Sequence, residues 1–458
     1  MTSSGPGDAR STPKQSEDQT TEPRGPAGIG PAIKQFAENL EGLREFVEVI
    51  EPVLQERRER LMESNASNLL PLILALTQIG PDSEPLDPQL LEKARSRFDG
   101  EISIDLSDDA KAATISVKGP GFHRFHEAMK GLEKAGYHTD LLYQNSLSAL
   151  VSATEWFLSQ ILRWIFERQP GIAGIEDKTL KLGDLQAMNS IEDAKRYMLE
   201  SRVLEVLRGG FTEWLTYFEG RLGLSMGYLV NEKGRLIEVF QRRNLFVHNG
   251  GYVGETYRKF VPEELQEKPP KHARVSVTRP YLEAAIDVFE RCFILLAAEL
   301  WKKQKIDDDA RGHLLLEIAY DRLVSEAYAV AESLSRFAMN DKRLPERIRL
   351  SSSFNYWQSL KWQGRFEEVR PEVENLDMSA KDQVFAVARY ALLDDEEAFF
   401  DALPDVLDRG LSEEDLREWP LFKAMRKSAR FQEFTQGDAV PPPAANVPPE
   451  APDEVDAR

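Results

Sequence analysis

The sequence predicts a mainly α-helical protein, and three observations favour that fold class. Several long segments place apolar residues at alternating spacings of three and four, which is typical of amphipathic helices. Only one short region, residues 101–117, alternates apolar and polar residues as a small β-hairpin does. The C-terminal part carries a weak repeat of helical units. With 458 residues, the chain is long enough for two or three domains.

Composition and charge limit the classes of function. Hydrophobic residues make up 41% and charged residues 29%, as in a soluble globular protein. A net charge of −19 and a pI near 5.0 argue against broad, charge-driven binding to nucleic acid or anionic membrane. Any contact with nucleic acid must therefore be local.

Cysteine content and apolar runs predict the cellular compartment. The single cysteine, Cys292, excludes an internal disulfide and suits a reducing cytosol. Its apolar surroundings favour a packing thiol rather than a nucleophile. The first residues show no apolar leader, and the apolar runs are too short to span a bilayer. We therefore expect a cytoplasmic protein with no membrane partner.

The N-terminal 120 residues divide into a tail and a small helical region. Residues 1–30 are rich in Ser, Thr, Pro, Gly and charge, which predicts a disordered tail. Residues 31–120 should hold a helix over 31–63, a second helix near 69–77 and the hairpin. Apolar residues form a short heptad seam that Pro52 should kink or interrupt. The seam favours a helix packed on its own domain, with a dimerising coiled coil as the alternative; its positions are Phe36, Leu40, Leu43, Val47, Ile50 and Leu54.

Residues 121–305 should form a central bundle of helices. Regular apolar stripes, loops rich in polar residues, and glycine or proline at the boundaries mark its elements. The predicted helices cover 123–134, 139–168, 191–207, 211–222, 235–248 and 280–303.

Residues 309–436 should form a separate block of helical repeats. Two segments align at an offset of 33 residues, close to the 34 of a tetratricopeptide unit. The aligned pairs are Trp357/Tyr390, Leu360/Leu393, Phe366/Phe399, Pro371/Pro404 and Val373/Val406. Such stacks more often bind proteins or act as spacers than catalyse reactions. The tail at 437–458 is Pro-rich and acidic and should be disordered.

One short segment of the central region carries unusual chemistry. Arg243 has only apolar residues three and four positions away in the predicted helix (Val239, Phe240, Phe246 and Val247). A cation in such a stripe must find partners. Asn244 and His248 are neighbours on an adjacent face. His248 lies in the last turn, and Gly250 and Gly251 should stop the helix.

This segment resembles the signature of the HEPN superfamily of all-α nucleotide-binding domains. That signature is an arginine, a polar residue, three further residues and a histidine, matched here by Arg243, Asn244, residues 245–247 and His248. The string RRNLFVHNGGYV is similar to the RNA-associated, RiboL-PSP-like branch of the superfamily. The resemblance covers about residues 139–305 and implies an antiparallel helical bundle.

The resemblance also implies an activity. Active members of the superfamily are metal-independent endoribonucleases that act as dimers, in which the motifs of two copies form one site. By this likeness, Arg243 would bind the scissile phosphate, and His248 would act as general base or acid. Asn244 would orient the phosphate or the imidazole. Further candidates for RNA binding are Arg242, Asn249, Tyr252, Arg258 and Lys259.

The expected function is that of a ribonuclease, such as a stress or phage-defence effector. It would bind RNA at this site only, form a homodimer and need no metal or cofactor. The alternative is a non-catalytic adaptor whose repeats bind a protein partner. In that case Arg243 pairs with a buried carboxylate and His248 caps its helix. Glu155, on the helix at 139–168, could pair with Arg243 or assist His248, although a surface glutamate is the favoured interpretation.

Overall fold

The computed structural model describes residues 28–77, 101–106, 113–118, 122–176, 178–268, 274–379, 381–407 and 411–432. Within these ranges the chain is mainly α-helical, as predicted. The tails expected at 1–30 and 437–458 lie outside the described residues, apart from residues 28–30. No helix in the described part of the chain is both long enough and apolar enough to cross a bilayer.

The elements follow one another mainly as helices. The first part of the chain contains α1 (Ile29–Thr77), β1 (Glu101–Leu106), β2 (Ala113–Lys118), α2 (Phe122–Arg168), α3 (Pro170–Ala173), α4 (Leu182–Gln186), α5 (Ile191–Arg208) and α6 (Phe211–Gly220). The next part contains α7 (Lys233–Asn249), α8 (Glu255–Phe260), α9 (Arg279–Gln304), α10 (Asp308–Val324) and α11 (Tyr328–Met339). The last part contains α12 (Glu346–Trp362), α13 (Arg370–Glu374), α14 (Gln383–Leu393), α15 (Glu396–Leu407) and α16 (Glu413–Glu418). Strands β1 and β2 pair antiparallel, with Ile104 opposite Ile115.

Two helices are longer than predicted. Helix α1 continues through Pro52 without a break. It also continues through residues 64–68, so the predicted separate helix at 69–77 is part of it. Helix α2 continues through Gly136 and joins the two segments predicted at 123–134 and 139–168. A Cβ at Gly136 would meet open space, and a glycine costs a helix only about 1 kcal/mol. A helix of this length tolerates that cost.

The heptad seam of α1 packs against α2. Phe36, Leu40 and Val47 are buried in the main apolar core. The ring of Phe36 stacks on that of Phe157 of α2, with centroids 4.4 Å apart. The seam therefore belongs to the fold of the chain, which confirms the favoured interpretation over a dimerising coiled coil.

Helix α9 lies at the centre of the main core. Every residue from Cys292 to Ala298 is buried, and two turns buried on all sides require neighbours all around. Burial raises the pKa of the Cys292 thiol to about 12. The thiol is therefore protonated at neutral pH, in agreement with the predicted packing role.

The apolar core does not divide at the predicted boundary near 305–309. The main core includes buried residues from Ile29 to Ile348, so α10, α11 and the start of α12 pack on the bundle. A second core holds buried residues from Phe354 to Phe431. It contains both members of the aligned pairs Phe366/Phe399 and Val373/Val406. The units of the 33-residue repeat therefore share one core.

A buried carboxylate joins α1 to α2 and α9. Glu51 is 6% exposed and accepts a 2.5 Å hydrogen bond from the Tyr143 hydroxyl. Its other oxygen accepts from the Arg279 guanidinium. Burial raises the pKa of the Glu51 carboxyl, but these hydrogen bonds outweigh that effect and hold the pKa below its ordinary value of 4.5.

This contact predicts a pH-dependent stability. A lowered pKa in the folded state stabilises the protein above pH 4.5, and the stabilisation is lost as the pH falls through the lowered value. We expect Glu51→Gln to cost about 2 kcal/mol at pH 7, in the range for hydrogen bonds to charged groups. The difference in melting temperature from wild type should shrink as the pH falls from 5 to 3. The exposed Glu48 on the same helix provides the control, Glu48→Gln. A constant difference across this pH range would contradict the assignment.

Candidate active site

Helix α7 carries the predicted motif and ends where expected. Gly250 and Gly251 have φ values of 58° and 87°, in the left-handed region that favours glycine. The Gly251 amide donates to the Leu245 carbonyl at 2.9 Å and so closes the last turn. A Cβ on Gly251 would also lie 3.2 Å from the Phe246 ring. The predicted stop is confirmed, and it places His248 in the last turn.

Arg242 is a buried structural residue, so its predicted role in binding RNA is wrong. The residue is 2% exposed. Its Nε donates to Glu238 at 2.7 Å, and its Nη1 donates to Glu267 at 2.6 Å. The guanidinium carbon lies 4.2 Å from the centroid of the Tyr281 ring. A guanidinium that is buried and bonded in this way is not accessible to a substrate.

The partners of Arg242 form a buried polar cluster around Glu238. The Glu238 carboxylate, which is almost fully buried, also accepts hydrogen bonds from the hydroxyls of Tyr257 and Tyr281 at 2.9 and 2.5 Å. The pKa of the Tyr281 hydroxyl is raised, first by burial and then by this carboxylate. The contacts of this cluster were not predicted from the sequence. The spacing of four between Glu238 and Arg242 is the signal that could have indicated it.

Arg243 is partly exposed, although the residues three and four positions away from it in the helix are all apolar. Its side chain is 20% exposed and donates to Glu155 of α2 at 2.5 Å. The Nε of Arg243 has no hydrogen-bond partner within the described part of the chain. Glu155 is 39% exposed. The ion pair that was the less favoured alternative for Glu155 is therefore present, but its carboxylate is not buried.

The side chains of Asn244 and His248 make no contact among the described residues that would assign them a structural role. His248 is exposed, and Asn244 is partly exposed. Neither side chain hydrogen-bonds to another described residue. They are four residues apart, so they share one face of α7.

The remaining candidates lie beyond the end of the helix. The Asn249 amide donates to the Tyr252 carbonyl. The Arg274 guanidinium lies 5.2 Å from the Tyr252 ring, and the two residues form an isolated β-bridge. Arg258 and Lys259 are exposed on α8. The turn therefore brings Asn249 and Tyr252 together, whereas Arg258 and Lys259 belong to a separate element.

The segment 232–279 is rich in lysine and arginine, but ion pairs offset part of its positive charge. Besides Arg242, Lys268 pairs with Glu263, and Arg279 pairs with Glu51 and Glu283. Five cations are exposed in this segment without an ion pair to a described residue: Lys233, Arg235, Arg258, Lys259 and Arg274. Any attraction for RNA would therefore depend on few charges.

No group of three or more His, Cys, Asp or Glu side chains suited to a metal ion occurs among the residues that the structure describes. Comparison of the chain with protein-family models, curated proteins and solved structures finds no match.

Proposed function

We propose that this protein is a metal-independent endoribonuclease whose site is built from Arg243, Asn244 and His248 of two copies of the chain. The observation that carries the proposal is the contrast between two adjacent arginines. Arg242 fills a buried role in the fold, whereas Arg243 is partly exposed, near an exposed His248 and an Asn244 side chain that has no hydrogen bond to a described residue. A cation, an amide and an imidazole thus lie on one helix, and the described contacts give them little part in the fold beyond one partly exposed ion pair.

The ion pair between Arg243 and Glu155 is weak enough to open for a phosphate. Both side chains are partly exposed, and pairs of this kind contribute about 0–1 kcal/mol. A phosphodiester offers the guanidinium two oxygens in a matching geometry.

Helical geometry supports a site made from two copies. Residues five apart are turned by about 140° and displaced by about 7.5 Å along the axis. Arg243 and His248 of one helix therefore point to different sides. A two-fold contact between α7 helices would set the arginine of one copy beside the histidine of the other.

Such a site can cleave RNA by attack of the 2′-hydroxyl on the neighbouring phosphorus. The 2′-oxygen bonds to phosphorus while its proton passes to a base, and the bond to the 5′-oxygen breaks as that oxygen gains a proton. His248 suits either proton transfer because an imidazole can both accept and donate a proton. Arg243 would stabilise the charge on the non-bridging oxygens.

The test is to incubate the purified full chain with labelled RNA in EDTA. The proposal requires cleavage that survives EDTA and leaves 2′,3′-cyclic phosphate and 5′-hydroxyl ends. Cleavage that EDTA abolishes, or products with 3′-hydroxyl ends, would require a different chemistry.

Dimer formation can be tested through Val247, which lies between the motif residues. Val247 is 54% exposed and Trp156, beside Glu155, is 37% exposed. We expect the wild-type protein to have twice the mass of the 52.0 kDa chain in light scattering. Val247→Asp should shift it to a single chain and lower RNA cleavage, because burying an unpaired carboxylate at the contact is costly.

The matched control is Val324→Asp. Val324 is 55% exposed but lies at the end of α10. It should leave the dimer intact. A monomeric wild-type protein, or a dimer that tolerates Val247→Asp, would contradict the two-copy site.

A non-catalytic adaptor is the second candidate, and one observation favours it. The Arg243 guanidinium is already paired with Glu155, which is the arrangement that a purely structural role needs. On this account the protein would bind a partner through its repeats and leave RNA intact under all conditions of the cleavage test.

A further inference from the structure

A cavity of about 660 Å³ lies away from α7's motif, between α9, α11 and the segments that precede α7 and follow α12. Its volume falls within the range of small-molecule sites. Tyr228 and Phe337 line it with aromatic surface, and Asn231, Asn340 and Gln363 add amides. The lining therefore offers an organic ligand both aromatic surface to pack against and polar groups to bond with.

The charge of this cavity runs against that of the chain. Three arginines line it, Arg291, Arg336 and Arg365, against the two glutamates Glu232 and Glu332. The chain as a whole carries a net charge of −19. The lining therefore carries one more cation than anion, and this small excess favours an anionic ligand.

Two of the arginines have partners within the cavity wall. Arg291 donates to Glu232 at 2.6 Å. Arg365 donates to Glu332 at 2.9 Å, and Gln363 donates to the same oxygen. Arg365 also donates to both oxygens of Glu368, at 2.9 and 3.0 Å. These pairs hold the wall together across α9, the start of α7, α11 and the end of α12.

Arg336 is different because its guanidinium makes no ion pair or hydrogen bond with any described residue. It is exposed at the cavity and presents its full set of donors. A planar guanidinium matches the oxygens of a phosphate or carboxylate. A phosphate ester carries close to two negative charges at neutral pH and can also engage Arg291, so it suits this cavity better than a single carboxylate.

We propose that this cavity binds a nucleoside phosphate, with its phosphate on Arg336 and its base against the aromatic lining. The space exceeds the need of an inorganic ion, and aromatic side chains are the usual partners of bases. The site is separate from Arg243 and His248 and does not depend on RNA cleavage. It lies beside Asn231 and Glu232, directly before the helix that carries the motif.

The experiment is isothermal titration of the full chain with the four ribonucleoside monophosphates, their nucleosides and inorganic phosphate. At least one monophosphate should bind one site per chain, more tightly than its nucleoside and more tightly than phosphate. Arg336→Ala should weaken this binding about tenfold or more, as expected for loss of a charged hydrogen bond. This variant should keep its fold, because the Arg336 guanidinium has no ion pair or hydrogen bond with a described residue whose loss would leave a group unpaired.

Arg347→Ala is the matched control, since Arg347 is an exposed arginine that lies outside the cavity. It should bind the monophosphate as wild type does. The proposal is overturned if no monophosphate binds, if the nucleoside binds equally well, or if the two arginine variants lose the same affinity.

Discussion

Replacing Arg243 or His248 with alanine is expected to lower the rate of RNA cleavage by about 100-fold or more. Each change removes a group that would act on charge or protons developing in the transition state. Neither should unfold the protein, because Arg243 makes only a partly exposed ion pair and His248 is exposed. Rates should be measured with labelled RNA in EDTA, beside thermal melts of each variant.

Arg235→Ala provides the control on the same helix. Arg235 is exposed near the start of α7 and has no ion pair with a described residue. It should keep the wild-type rate, which separates loss of a catalytic cation from loss of general positive charge. Cleavage at one rate in wild type and in all three variants would mean a contaminating nuclease and would favour the adaptor.

Most of the helices could be predicted because they depend on local patterns. The apolar period placed α5, α7 and α9 within two residues at each end, and the glycine pair after α7 marked its stop. The two errors of length lie at residues 64–68 of α1 and around Gly136 of α2, where separate helices were predicted but the chain continues as one helix. A helix packed along its length keeps its course through one unfavourable residue, since tertiary packing outweighs local propensity.

The roles of the two arginines could not be predicted from the helical period. Arg242 and Arg243 differ by only one position, and the local difference between them is Glu238, four residues before Arg242. The other contacts that separate them are distant in sequence, since Arg242 meets Glu267 and Tyr281, whereas Arg243 meets Glu155. The helical period of 3.6 residues indicates which face of a helix is apolar, but it does not identify the side chains of other elements that contact that helix. The sequence therefore indicates the motif of the candidate site but not the residues from other elements that surround it.

The extent of the main core was missed for a related reason. The 33-residue repeat indicated where helical units recur, and those units do share a core. It gave no sign that α10 and α11 pack against the bundle through residues such as Leu315 and Leu334. Both helices are amphipathic, and amphipathicity alone does not identify the partner of an apolar face.

Arg242→Met is expected to destabilise the protein by about 3 kcal/mol or more, within the range for breaking a buried ion pair. The change keeps much of the side-chain volume but removes the cation that Glu238 faces in the core. Tyr257 and Tyr281 still donate to the carboxylate, yet two neutral donors do not replace a buried positive charge. The effect should appear in urea unfolding and as a lower melting temperature.

Arg243→Met tests the contrast one residue away. Its ion pair with Glu155 is partly exposed, so the cost should be within about 1 kcal/mol. The double variant Glu238→Gln/Arg242→Met removes both charges and should recover much of the lost stability, because no carboxylate is left buried without its cation. Equal losses for Arg242→Met and Arg243→Met would mean that both arginines serve the fold. The surface role given to Arg243 would then lose its main support.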